Sequence, residues 1–135
     1  MNWTTWEKVG IDRQACAWFI KKYVDADAVF SFIPRDAALS DAEYSFDTPA
    51  AKWTHKQGHS SFYMFVKKYA PKDNVLKKMV EIIDGADTAS DVLPPPEAYG
   101  IEAICVGIRA SSESDHEALE KGKIIFDGLY AYLSK

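Results

Sequence analysis

The first helical stretch of the sequence places an acid, a guanidinium and a thiol close together. Asp12 and Cys16 are four residues apart and so share a helix face, and Arg13 follows the acid directly. Asp12 is a favourable N-cap for this helix, whose N-terminus attracts anions. Arg13 and Cys16 could therefore bind an anion, with Cys16 as a candidate catalytic thiol of lowered pKa. In the alternative interpretation, Asp12 is only a cap and Cys16 is an inert core residue.

Histidine and aspartate side chains further along the chain could bind a divalent metal ion. His55 and His59 flank a predicted loop around Gly58, where a positive φ is expected. Asp84 and Asp87 crowd the end of a predicted helix, where the macrodipole makes acidic residues unfavourable. A cation would offset the repulsion among these carboxylates. The alternatives are exposed or capping histidines and a solvated polar loop.

The last predicted helix carries the third histidine, which is a further candidate metal ligand. A capping box over residues 114–117 explains the acids at its start but does not explain His116. Asp127 lies about three turns later, roughly 16 Å along the helix, so it cannot bind the same ion as His116. We expect Asp127 to pair with Arg13 or Arg109, because Arg–carboxylate pairs tolerate partial burial best.

Length and composition indicate one ordered domain over residues 1–135. The chain has 135 residues, of which 47% are hydrophobic, which is enough for one core. The net charge of −4 disfavours direct binding to nucleic acid. No apolar run approaches the ~20 residues that span a bilayer, and the N-terminus lacks the features of a signal peptide. The two distant cysteines indicate no disulfide scaffold. We expect a cytoplasmic protein with no membrane interaction.

Hydrophobic periodicity predicts an α+β fold in which a small N-terminal β-sheet packs against a mainly helical C-terminal half. Short apolar or alternating runs bounded by turn residues predict strands over 28–33, 44–47 and 51–55. One or two helical turns are expected over 36–42. Helices are predicted from Asp12 to Tyr23, from residue 60 to Pro71, from an Asp73 cap to a stop at Gly85, from Glu97 to about Arg109, and from Ser114 onward.

Several short motifs occur in an order that resembles a known family. The opening signature consists of Asp12-Arg13, Cys16, Trp18 and Asp25. The later matches are Phe46-Asp47, Thr54-His55, Ser61-Phe62, Gly85-Ala86-Asp87-Thr88, Pro96-Glu97-Ala98, Asp115-His116-Glu117 and Phe126-Asp127. Together they resemble the C-terminal domain of the ChrB family of chromate-resistance proteins, over essentially the whole chain.

The resemblance implies a domain that responds to an oxyanion or a metal in chromate resistance or its regulation. It implies a metal centre in which His55 and Asp87 match the family and Asp84 could substitute as an oxygen ligand. The family usually has a Cys and an acidic residue where this chain has Ser60 and Tyr63, which should favour harder ions or lower affinity. Fuller members carry an N-terminal DNA-binding domain, so DNA binding would belong to a partner.

We therefore expect a metal- or oxyanion-responsive binding domain, with a divalent ion of unknown identity as its cofactor. Arg13 and Cys16 would form an anion-facing wall. One alternative is a metal-dependent enzyme in which Tyr63 or Cys16 performs proton transfer or redox chemistry. A second alternative is an interaction module without an active site, and the aromatic content also allows a homodimer face. The expected metal ligands are His55, Asp84 and Asp87, completed by His59 or His116.

Overall fold

The computed structural model describes residues 1–37, 44–49, 51, 53, 54, 56, 58–87 and 93–135. Within these residues, two strands and five α-helices form the α+β arrangement expected from the sequence. A π-helical segment, Ile20–Val24, continues the first helix. In chain order the elements are β1 (Asn2–Trp6), α1 (Ile11–Phe19), β2 (Val29–Ile33), α2 (Ser61–Tyr69), α3 (Asn74–Asp87), α4 (Glu97–Ser111) and α5 (Asp115–Leu133).

The sheet is a parallel pair, with Asn2 opposite Val29 and the register kept to the end of both strands. The predicted strand over 28–33 is confirmed as β2, whereas β1 was not predicted. The predicted strand over 44–47 is reduced to isolated bridges, which join Ser45 to β1 and Phe46 to residue 53. Asp47 has a φ of 52°, which ends the extended geometry directly after Phe46. The structure does not describe residues 52 and 55 of the third predicted strand or residues 38–42 of the predicted helical turns.

Helix α1 lies at the centre of the packing and contacts the other four α-helices. Its apolar residues Cys16 and Phe19, together with Ile20, are fully buried. Phe65 of α2 extends this core toward the sheet, because its ring contacts Trp3, Phe19, Phe46 and Trp53. A helix surrounded in this way also buries its polar side chains, so those of α1 need partners on other elements.

The helix starts agree with the predicted capping signals. Asp73 accepts hydrogen bonds from the amides of Val75 and Leu76, as an N-cap should. At α5, the Ser114 hydroxyl accepts from the amide of Glu117 at 3.1 Å. No helix among the described residues is both long and apolar enough to cross a membrane.

The predicted helix stop at Gly85 is wrong, because α3 continues to Asp87. The reason for glycine here is a close approach rather than a cap. A Cβ atom at Gly85 would lie 2.5 Å from the Cβ of Pro94, so only glycine lets the segment before α4 pass this close. Gly58 does have the positive φ that its loop position predicts, at 80°.

Two glycines of α5 should respond in opposite ways to alanine. At Gly122, a Cβ would lie 2.8 Å from Oε1 of Gln14. The Gln14 amide cannot easily withdraw, because its Nε2 donates to the carbonyls of Val9 and Cys105. We expect Gly122→Ala to lower the free energy of unfolding by about 1–3 kcal/mol through overpacking. A Cβ at Gly128 would meet nothing within 4 Å beyond its own helix, so Gly128→Ala should raise stability by up to about 1 kcal/mol through helix propensity. Urea denaturation measures both, and a shift in the same direction would contradict the packing argument.

Candidate functional site

The Asp12 carboxyl group joins α1 to the N-terminus of α2. It is 2% exposed, and its two oxygens accept hydrogen bonds from the amides of Ser61 at 2.8 Å and Phe62 at 2.9 Å. The hydroxyl of Ser60 accepts from a further amide of the same turn. The expectation that Asp12 caps its own helix is wrong, since Gly10 holds the N-cap position there without a side-chain hydrogen bond. Asp12 instead satisfies donors that α2 would otherwise bury unpaired.

Three carboxyl groups, of Asp12, Asp47 and Asp87, form what we call the acidic cluster. Asp47 is 5% exposed, and the Ser61 hydroxyl donates to its Oδ1 at 2.8 Å while the Ser61 amide donates to Asp12. Burial, followed by repulsion from Asp47 and Asp87, raises the pKa of Asp12 well above its usual value. Burial and Asp87 also raise the pKa of Glu102 on α4. The cluster therefore creates a negative potential between α1, α2, α3 and α4.

Arg13 supplies positive charge at one side of the acidic cluster. Its Nη2 donates to the Asp47 carbonyl at 3.0 Å, and its Nε lies 3.4 Å from Asp47 Oδ2. The side chain is 12% exposed, and its guanidinium lies over the indole of Trp6, 5.4 Å from the ring centroid. Arg35 lies over the same ring at 5.2 Å. Any anion bound by Arg13 must therefore compete with the Asp47 carboxylate.

Cys16 was predicted to face a bound anion as a thiol of lowered pKa, and the structure tests this prediction. The side chain is fully buried, and its thiol donates to Asp12 Oδ1 at 3.5 Å. Burial and the negative charges of Asp12 and Asp47 raise the pKa of Cys16 well above its usual value. The hypothesis of a lowered thiol pKa is therefore wrong, because burial and the neighbouring carboxylates both favour the protonated thiol. The buried position of Cys16 agrees with the alternative interpretation, in which it is an inert core residue.

His59 and Asp84 form a second polar group at the start of α2. A 2.7 Å hydrogen bond joins His59 Nδ1 to Asp84 Oδ2. The other Asp84 oxygen accepts from the amide of Ser60 at 2.9 Å and from its hydroxyl at 2.6 Å. The ring of Tyr63 stacks on His59 with centroids 3.8 Å apart. These contacts give Asp84 a structural reason to occupy the C-terminal part of α3, where the dipole disfavours it.

The predicted metal ligands are distributed over more than one place. Asp84 forms a hydrogen bond with His59, whereas the negative charge of Asp87 helps to raise the pKa of Asp12 and of Glu102. His116 packs edge-on against Phe32, with ring centroids 4.9 Å apart. His55 lies outside the described residues. Within the described part of the chain, no three His, Cys, Asp or Glu side chains are arranged to hold a metal ion.

Asp127 does not pair with either predicted arginine. Its Oδ1 accepts from Lys22 Nζ at 2.6 Å and from the Trp18 indole at 2.8 Å. These two hydrogen bonds lower the pKa of Asp127. Both donors belong to the first helix and its π-helical continuation, and α1 packs against α5, so Lys22 rather than an arginine provides the cation.

Sequence reasoning missed Asp47 and Ser61 as members of the site. Both occur in the short motifs that carry the family resemblance. Locally, however, an aspartate before Thr48-Pro49 is typical of an ordinary turn. A serine next to the N-cap of α2 likewise has an ordinary capping explanation.

Comparison with known proteins finds a family match over almost the full length of the chain. Residues 3–133 match the family described as "ChrB, C-terminal domain". Protein ChrB of Cupriavidus metallidurans is 29% identical over 134 residues, which cover 98% of this chain. The chain spans only 41% of the length of that relative. No solved structure matches the chain. The chain therefore belongs to the family of ChrB C-terminal domains.

Proposed function

We propose that this domain contributes to chromate resistance by binding a divalent cation at the acidic cluster, as a sensing rather than a catalytic unit. The family membership supports the chromate-related role. The observation that carries the cation proposal is geometric: Ser61 holds two buried carboxylates together, because its amide donates to Asp12 and its hydroxyl donates to Asp47. Burial, followed by repulsion from Asp47 and Asp87, raises the pKa of Asp12, which agrees with this arrangement. In this proposal, the DNA-binding part implied by the resemblance belongs to another segment or to a partner.

Electrostatics supports a cation at this position. Like charges in a poorly solvated interior repel one another strongly, and a bound cation removes that repulsion. Carboxylate oxygens are the preferred ligands of hard divalent ions. Ser61 hydrogen-bonds both Asp12 and Asp47, which fixes two of the carboxylates relative to each other. An organised pair of oxygen ligands lowers the entropic cost of binding.

The proposed ligand set differs from the one expected from the sequence. It consists of Asp12, Asp47 and Asp87 together with His55, which is retained from the family resemblance. His55 completes a set that the described side chains do not form by themselves. Asp84 and His59 are proposed instead to hold the start of α2 in place, because they hydrogen-bond each other and Ser60. Oxyanion binding by Arg13, the enzyme alternative and the homodimer stay predictions.

Titration of metal-free protein with Mn²⁺ and Zn²⁺ tests the proposal. We expect wild-type protein to bind one equivalent, and Asp47→Asn and Asp87→Asn to weaken binding at least about tenfold, the equivalent of about 1.4 kcal/mol. Glu81→Gln is the matched control, because Glu81 lies on the exposed side of the same helix as Asp87. His55→Ala should weaken binding by a similar factor.

Circular dichroism of each variant establishes that the fold is retained. Isothermal titration calorimetry then gives the stoichiometry and the dissociation constants. If both asparagine variants bind either ion as tightly as wild type, the acidic cluster is not the metal site. If wild-type protein binds neither ion at millimolar concentration, the proposed function itself fails.

A further inference from the structure

A cavity of about 710 Å³ lies on the opposite end of α1 from the acidic cluster. It is bounded by the C-terminal half of α1, the start of β2 and the first turns of α5. Its volume falls within the ~300–1,000 Å³ that is typical of sites for drug-sized ligands. Within the described structure, none of the three acidic-cluster residues lines it. The cavity is therefore independent of the proposed metal site.

The charges that line the cavity favour an anion. Lys21, Lys22 and Lys123 outnumber the carboxylates of Glu120 and Asp127. Asp127 is already held by Lys22 through a 2.6 Å contact. Over the part of the chain that the structure describes, neither Lys21 nor Lys123 makes an ion pair within 4.0 Å. In a chain with a net charge of −4, this is a locally positive surface.

The apolar part of the lining indicates an organic rather than an inorganic ligand. Trp18, Phe30 and Leu119 form the inner wall, and Val29 lies at its edge with 60% of its surface exposed. A tetrahedral oxyanion has only five heavy atoms, so it would leave most of the cavity filled with water. An apolar ligand body would cover Val29 and displace that water, which is favourable in proportion to the area buried.

We propose that this cavity binds a small organic anion. The aromatic or aliphatic body of the ligand packs against Val29, Phe30 and Leu119. Its carboxylate, sulfonate or phosphate group lies beside Lys21 and Lys123, where charge-assisted hydrogen bonds form. The inference rests on the cavity alone and holds whether or not the acidic cluster binds a metal.

Two fluorescent probes that share their rings separate the anionic and apolar contributions. The first is 8-anilinonaphthalene-1-sulfonate, and the second is neutral N-phenyl-1-naphthylamine. We expect the sulfonate to bind wild-type protein with one equivalent and more tightly than the neutral probe. The double variant Lys21→Gln/Lys123→Gln should weaken the sulfonate about tenfold, as expected for one lost charge-assisted hydrogen bond. Binding of the neutral probe should change less than about twofold.

Controls place the probe in the cavity rather than elsewhere on the surface. The matched variant Lys77→Gln/Lys78→Gln removes two exposed charges from α3 and should leave both affinities unchanged. Val29→Asp should weaken both probes, because it puts a charge on the apolar edge. Equal sulfonate affinities of the Lys21/Lys123 variant and wild type would overturn the proposal. Displacement of the sulfonate by equimolar sodium sulfate would also overturn it, because it would indicate a site for inorganic oxyanions.

Discussion

Replacing Asp12 by alanine should lower the free energy of unfolding by about 2–4 kcal/mol, because two buried amides lose their acceptor. These are the amides of Ser61 and Phe62, at 2.8 and 2.9 Å from the carboxylate oxygens. The substitution also removes the repulsion that Asp47 and Asp87 exert on Asp12, which offsets part of the decrease in the free energy of unfolding. We expect the hydrogen bonds to dominate, since alanine leaves both donors unsatisfied in the interior.

Asp73→Ala provides the matched control for this prediction. Asp73 also accepts from two amides of a helix start, but it does so on its own helix and is only half-buried. Its other oxygen accepts from the Tyr130 hydroxyl at 2.9 Å. Its loss should cost about 1–2 kcal/mol, the usual effect of an N-cap together with one partly exposed hydrogen bond. Urea denaturation of both variants in the presence of a chelator measures the difference. If Asp12→Ala is as stable as Asp73→Ala, the cross-helix cap contributes no more than a local one.

Both cysteines should be nearly inert toward thiol reagents in the folded protein. Burial raises the pKa of Cys105 to about 12 from an ordinary value of 9.0, which lowers its thiolate fraction at neutral pH about a thousandfold. Cys16 is fully buried, and its pKa is shifted in the same direction. Since the thiolate is the reactive species, alkylation by iodoacetamide at pH 7 should be at least about a thousandfold slower than in guanidinium chloride.

A surface cysteine calibrates the thiol experiment. Ser111→Cys places a third thiol at an exposed position near the end of α4, and this thiol should react at the rate of a free cysteine. Mass spectrometry then identifies which thiols have been modified. Rapid alkylation of Cys16 in native protein would restore it as a candidate redox residue.

Features that depend on neighbouring residues could be predicted from the sequence. The N-caps at Asp73 and Ser114, and the start of α4 after three prolines, depend on side chains within a few positions of the helix end. The hydrogen bond between Cys16 and Asp12 also belongs to this class, because a helix brings positions four apart together.

Features that depend on distant residues could not be predicted. The partners of Asp12 lie on α2, and those of Asp127 lie near the end of α1. Glycine near a helix end usually stops the helix, but Gly85 is required by the close approach of Pro94. The hydrogen bonds that Asp84 makes to His59 and Ser60 are of the same kind, because they join α3 to the start of α2.

The stacking of Arg13 on Trp6 gives the protein a built-in optical probe. Indole emission is quenched or shifted when a nearby charge moves, and this guanidinium contacts both the ring and Asp47. We therefore expect a change in charge at Asp47 to alter the emission spectrum of Trp6 without any added dye. Substituting Trp3, Trp18 and Trp53 by phenylalanine would leave this indole as the sole source of the tryptophan signal.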